Sequence, residues 1–320
     1  MWCTVCWVDL LFMKRLLFLF TILFVQSAQT AERPNILFAF ADDWGWPHAG
    51  AYEDPVVKTP AFDRLAKEGA LFHHAYVSSP SCTPSRGAVL TGQYHWRLEG
   101  AANLWSVFPD KFATYPELLE KAGYVTGLSS KGWGPGRTEI PGRDLAGKRF
   151  PNFDAFLKQW NDKKPFVYWL GSSDPHRGFV KDSGAKSGID LSKIKLFPHY
   201  PDSPEVRGDV ADYYFEVQRF DRLVGSALAA LEKLGQLENT IVVMSGDHGM
   251  PFPRCKSNNY DSGARVPLAI RWPKKIKGGT VVNDFVSLVD LAPTFYDVGG
   301  VSVPDDVSGR SLLTLLAGDS

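Results

Sequence analysis

Asn35-Ile36-Leu37-Phe38-Ala39-Phe40-Ala41-Asp42-Asp43 is an unbroken apolar run that ends in two acids. A strand wet on one face alternates apolar and polar residues. This one does not, so it reads as a strand covered on both faces, the kind found in parallel sheets. The pattern recurs outward from it. Short apolar runs lie at Tyr124 to Ser129, Phe166 to Leu170, Ile241 to Met244 and Val266 to Ile270. Helical patterns separate them. Thr59-Pro60 opens one that runs to Glu68 and is closed by Gly69, and Thr114 to Lys121 is another, stopped by Gly123. The longest, Val206 to Leu234, puts Tyr213, Val217, Phe220, Val224, Leu228 and Leu231 on one face before Gly235. A further helix is expected near Leu288 to Val298. Strands alternating with helices predict an α/β layer fold with a mostly parallel central sheet and helices on both faces.

In such sheets ligands gather beyond the C-terminal ends of the strands. Asp42-Asp43, Lys131, His176 and Asp247-His248 all fall there in this reading. An Asp pair after a strand is often only a turn or a helix cap. Two acidic strand ends, with Asp43 and Asp247 lying 204 residues apart, also suit one hard cation, with His248 as a tolerated nitrogen ligand. A second stretch, Ser81-Cys82-Thr83-Pro84-Ser85-Arg86-Gly87, follows the apolar run from Ala70-Leu71-Phe72 to Tyr76-Val77. Thr83 reads as an N-cap and Pro84 as the first helical residue. Cys82 then sits just ahead of a helix N-terminus, where a thiolate and anions are favoured. The bland alternative is a small buried residue. A phosphatase loop of the Cys-x5-Arg kind is excluded, because Ala88 stands six residues after Cys82.

Cys82-Thr-Pro-Ser-Arg86 followed by Leu90-Thr91-Gly92 resembles the hallmark of the formylglycine-dependent sulfatases, and separated motifs extend the resemblance from about Arg33 to about Leu316. It implies an alkaline-phosphatase-like fold and an enzyme that hydrolyses sulfate esters or sulfamates, acting on a sulfated sugar. It implies that a formylglycine-generating maturation enzyme oxidises Cys82 to an aldehyde whose hydrate attacks sulfur. It further implies one divalent cation, Ca2+ or Mg2+, on Asp42, Asp43, Asp247, His248 and the oxygen of modified Cys82. Arg86 would help hold the attacking hydroxyl. Lys131 and Lys256 would bind the sulfuryl oxygens, with Lys256 preceding Tyr260-Asp261-Ser262-Gly263-x-Arg265-Val266-Pro267, and His176 in Asp174-Pro175-His176 would protonate the leaving group. Asp174-Pro-His-Arg177 and Gly249-Met-Pro-Phe-Pro253 are most similar to heparan N-sulfatases. Two departures stand out. Trp133 occupies the place of a usual histidine two after Lys131, so it is either a missing base or an aromatic wall. The chain also stops at Ser320, soon after Gly309-Arg310-Ser311-Leu312, so the family's small C-terminal subdomain is expected to be absent.

Bulk properties add limits. The 320 residues carry no net charge, and nothing points to nucleic acid. Between Lys131 and Lys195 there are 13 Lys or Arg against 7 Asp or Glu, a basic excess suited to a polyanion. Lys14-Arg15, the apolar Leu16 to Val25 and the small Ser27, Ala28 and Ala31 read as an export signal over residues 1–31, with Met13 as an alternative start, leaving residues 32–320 as the catalytic domain. The expectation is therefore a periplasmic or secreted protein, since the apolar run is short for a bilayer span. Removal of the signal takes Cys3 and Cys6, so Cys82 and Cys255 do not form a disulfide scaffold. Two other functions remain open at this stage. One is a phosphonate or phosphate ester hydrolase on the same fold, and the other a non-catalytic binder of sulfated glycan if Cys82 stays a thiol. The oligomeric state is not legible.

Overall fold

Strand β1, Asn35–Ala41, is buried at every residue and splits its side chains between two cores. Ile36, Phe38 and Phe40 enter one core, and Leu37, Ala39 and Ala41 enter the other. That division is why the run shows no polar alternation. The structure is a computed structural model that describes residues 33–317, and the residues from Pro34 onward form one unit. The expected export segment, with Cys3 and Cys6, lies outside the described residues.

The remaining strands are β2 Ala70–Tyr76, β3 Ser106–Phe108, β4 Val125–Ser129, β5 Gly136–Thr138, β6 Phe166–Gly171, β7 Thr240–Gly246, β8 Arg265–Arg271 and β9 Thr280–Ser287. The main sheet has seven strands in the order β4-β6-β1-β7-β8-β2-β9, and β3 pairs with β5 separately. Every pairing is parallel except those of β8, which runs antiparallel to β7 and β2. The sheet is thus mixed and mostly parallel. Strand β9 escapes the sequence pattern because it is an edge strand, half exposed, with Val281 and Phe285 in solvent.

The helices that matter below are α1 Pro60–Glu68, α2 Cys82–Thr91, α3 Tyr115–Lys121, α4 Phe153–Leu157, α5 Pro204–Lys233 and α6 Leu291–Gly299. Leu90 of α2, Tyr115 of α3 and Phe295 of α6 pack in the core with Phe38. Phe62 of α1, Phe156 of α4 and Phe220 of α5 pack in the core with Leu37. Helices therefore cover both faces. The expected apolar face of α5 is buried throughout, from Tyr213 to Leu231. Ser203 caps this helix by accepting from Val206 N, so the helix starts at Pro204, two residues before the apolar pattern alone indicates. On its far side Asp221 accepts from Ala61 N and Phe62 N, so a carboxylate of α5 serves the first-turn donors of α1. No helix among the described residues is long and apolar enough to cross a membrane.

Candidate active site

The expected site residues share one edge of the sheet. Asp42-Asp43 follows β1, Lys131 follows β4, His176 follows β6 and Asp247-His248 follows β7. Cys82 arrives from β2 and Lys256 from the connection between β7 and β8. Two backbone features make the convergence possible. Gly171 ends β6 where the Lys131 carbonyl passes so closely that a Cβ would lie 2.1 Å from it. Asp43 takes a left-handed φ of 74°, which turns the chain sharply after β1 and aims its N–H at Asp247 Oδ1, 2.8 Å away.

Helix α2 begins two residues earlier than the sequence suggested. Ser81 is the N-cap and Cys82 the first helical residue. Thr83 does not cap, because it lies inside a helix that opens at Cys82; its hydroxyl donates to the Pro135 carbonyl at 2.7 Å. Pro84 still lies in the first turn, where a missing N–H is tolerated. All ten residues of α2 are buried, so the Cys82 Sγ is held rigidly over the acidic strand ends. It sits 3.3 Å from His248 Nε2, 3.5 Å from Asp42 Oδ1 and 4.0 Å from Asp43 Oδ1.

Asp42, Asp43, Cys82 and His248 each present one ligand atom, all within 4.8 Å of one another and all buried. His248 Nδ1 lies 2.9 Å from the Gly249 carbonyl, an acceptor that fixes a proton on Nδ1 and leaves Nε2 as the ligand atom. Two carboxylates are hard donors, and with sulfur at residue 82 the set is mixed. Oxygen in place of that sulfur would make it fit a hard divalent cation. Asp247 stands outside this group of four. Its Oδ1 accepts from Asp43 N, and its Oδ2 accepts from Arg86 Nε at 2.7 Å.

The positive side chains divide into two kinds. Arg86 is wholly buried and committed to protein acceptors: Asp247, the Lys131 and Gly132 carbonyls, and the Ala41 carbonyl. It ties the ends of β1, β4 and β7 together, and no hydrogen bond joins it to Cys82. Lys131 and Lys256 instead reach into the site from its wall. Lys131 Nζ lies 2.7 Å from both oxygens of Asp42, and Lys256 Nζ lies 2.9 Å from both oxygens of Asp43. His176 is more exposed, with Nδ1 against the Arg177 carbonyl and Nε2 4.0 Å from Asp43 Oδ2.

Burial and charge act against each other here. Burial would push Asp247 up, but the charges of His248, Arg86 and Lys131 hold it far below the usual carboxylate range. Asp42 is raised, because burial and the charge of Asp247 outweigh Arg86 and Lys131. Burial lowers His248, yet Asp247 and Asp43 carry it up to about 9. Lys256 is raised as well, the charge of Asp43 overcoming burial. The centre is therefore a packed array of alternating charges.

Of these residues Asp42, Lys131 and Lys256, together with Cys82 and His176, line an open cavity of about 850 Å³. Its walls include side chains that the sequence did not flag, namely Trp105, Val180, Glu216 and Arg219. Glu216 and Arg219 lie one turn apart on α5, off the apolar face that identified the helix, and Arg219 pairs with Asp174 at 3.2 Å. Trp105 is 81% exposed, so burial-based reading had no reason to select it. Trp133 lines the cavity but points its indole N–H into protein, near Gly87, with no acceptor. Its ring meets Phe108 edge-on at 5.3 Å. Cys255 is buried away from the floor, 3.1 Å from Tyr200 Oη, with its thiol pushed up by burial.

Comparison with known proteins adds independent findings. The sulfatase family model matches residues 34–301. An ulvan-active sulfatase of Formosa agariphila is 30% identical over 92% of this chain and 59% of its own length. Human N-sulphoglucosamine sulphohydrolase is 31% identical over 92% of this chain and 68% of its own. The chain therefore spans about three fifths to two thirds of the length of these relatives. A solved structure in complex with its substrate D-glucosamine-2-N,6-O-disulfate superimposes with a TM-score of 0.70 at 24% identity, covering 90% of this chain and 81% of that one. At that identity the likeness is one of fold.

Proposed function

Because the chain belongs to the sulfatase family, we propose that it hydrolyses a sulfate ester or sulfamate on a sulfated sugar, with residue 82 as nucleophile. The observation that carries this reading is the placement of Cys82. It opens a buried helix directly over Asp42, Asp43 and His248, on the floor of an open cavity walled by Lys131, Lys256 and His176. A thiol in that place has no second hydroxyl. Conversion to formylglycine by a maturation enzyme would supply a hydrated aldehyde as the attacking group, and a later collapse that frees the product.

Asp42, Asp43, His248 and the residue-82 oxygen would hold the cation, Ca2+ by preference or Mg2+, with Asp247 beside them. Such an ion supplies Lewis-acid stabilisation of charge at the reacting centre. The chain's own groups do the rest. Lys131 and Lys256 direct ammonium groups at the place where sulfuryl oxygens must sit, and charge neutralisation there is the largest expected contribution. His176 Nδ1 is occupied by the Arg177 carbonyl, so Nε2 is the atom that faces the leaving oxygen or nitrogen and can protonate it. Arg86 positions Asp247 and the Lys131 backbone rather than touching substrate. The names of the relatives, an ulvan-active sulfatase and an N-sulphoglucosamine sulphohydrolase, support a sulfated carbohydrate as the substrate class. The N-terminal run from Lys14 to Ala31 supports export.

The test is co-expression with a formylglycine-generating enzyme, followed by turnover of an aryl sulfate and an aryl phosphate. Sulfate release that depends on the modification is the expected result. Phosphate release exceeding sulfate release would overturn the reading.

A further inference from the structure

Beside the main cavity lies a second one of about 410 Å³, and the two share Gly132, Trp133 and Arg149 as walls. Three arginines line the second cavity, and they are not equivalent. Arg143 is committed, with Nε and Nη2 on the Glu117 carboxylate and further bonds to the Pro109, Asp110 and Phe112 carbonyls. The Arg137 side chain has no hydrogen-bond or ion-pair partner among the described residues, its backbone being paired with β3. Arg149 has one, the Ser130 carbonyl, and no carboxylate. Its backbone is nonetheless fixed, because Leu128 N bonds the Lys148 carbonyl and Phe150 N bonds the Leu128 carbonyl, both at 2.8 Å, along the edge of β4. Two guanidinium groups thus face one cavity with their donors available, and Asp144 is the sole acidic side chain in its lining. Gly142 in the lining is exposed, and a Cβ there would meet nothing within 4 Å.

We propose that this second cavity is a subsite for an anionic group on the sugar unit adjoining the one that loses sulfate, held by Arg137 and Arg149. The inference rests on the sulfated-sugar reading and names the substrate feature that reading leaves open, a second negative charge beyond the Trp133 wall. Guanidinium forks suit the oxygens of a sulfate or a carboxylate alike.

Three disaccharides with the same scissile sulfate test it: one with a second sulfate on the adjoining ring, one with a carboxylate there, and one neutral there. The measured quantity is the ratio of kcat/KM for each charged disaccharide over the neutral one. It should fall about tenfold in the Arg137→Ala/Arg149→Ala protein, the loss expected for a charge-assisted pair. A fall for only one charged disaccharide identifies the group. Asp144→Asn should move the ratio the opposite way, a readout that survives poor folding of the double variant. Unchanged ratios in both proteins overturn the proposal. If no aryl sulfate is turned over, the functional reading fails separately, and equilibrium binding of the same disaccharides still reads the subsite.

Discussion

Arg86 Nε donates to Asp247 Oδ2 at 2.7 Å, and neither side chain has any exposed surface. A buried ion pair adds little net stability over an apolar pair, but removing one partner strands the other charge. Arg86→Leu is therefore expected to lower the free energy of unfolding by roughly 3–5 kcal/mol, read by urea titration. Arg86→Leu/Asp247→Leu should recover part of that loss. A single variant as stable as the parent would show that the arginine does not tie the strand ends together.

The proposed nucleophile makes a covalent prediction. Protein matured with a formylglycine-generating enzyme should react with a hydrazide probe on the peptide that contains Cys82, and Cys82→Ala should lose both the label and sulfate release. Retention of turnover by the alanine protein would remove residue 82 from the mechanism.

The cation prediction separates binding from catalysis. Calcium or magnesium added to chelated protein should raise its melting temperature, and at a hundred times Kd the linkage amounts to about 2.7 kcal/mol. Asp43→Asn weakens the only group of four ligand atoms found among the described residues, so its metal-induced shift should largely vanish. Equal shifts in both proteins would place the ion elsewhere.

Much of this was legible in the sequence because it obeys local rules. The unbroken apolar run of β1 and the periodic apolar face of α5 are local signals, and both elements lie where those signals put them to within two residues. The acidic strand ends were legible from the order of strands and acids, but the place of Cys82 among them only through motif resemblance, since nothing local joins Cys82 to His248 across 166 positions. What escaped has physical reasons. Thr83 has the composition of a cap, but the helix opens two residues earlier, at Cys82, and leaves Thr83 inside it with its hydroxyl donating to the Pro135 carbonyl. The cavity walls Glu216 and Arg219 belong to the polar side of a helix, where many residues look alike in one dimension.

Trp133 lines the cavity, the place an aromatic wall for a sugar ring would take. Its indole N–H is buried, faces Gly87 and has no acceptor among the described residues. Trp133→Phe keeps the aromatic contact with Phe108 and removes an unsatisfied donor, so stability should change by less than about 1 kcal/mol and kcat should persist. A collapse of kcat with KM unchanged would instead give the N–H a chemical role.

The last prediction concerns Asp221, which is buried on α5 and accepts from Ala61 N and Phe62 N at the start of α1. Two influences oppose each other. Helix N-terminal donors favour the carboxylate, whereas burial favours the acid, and burial prevails, raising the group from 3.8 to about 6. Between those values the folded protein holds a proton that the unfolded chain has released, so stability falls as pH rises. The contribution is fully present below pH 3.8 and lost as pH passes about 6. It amounts to roughly 3 kcal/mol at about 1.4 kcal/mol per unit. Asp221→Asn keeps an oxygen for the helix donors and cannot ionise. Whatever its constant offset, its stability relative to the parent should therefore improve across this window, measured by urea unfolding at a series of pH values. A relative stability that worsens with rising pH would mean that the helix donors, not burial, set the charge of Asp221.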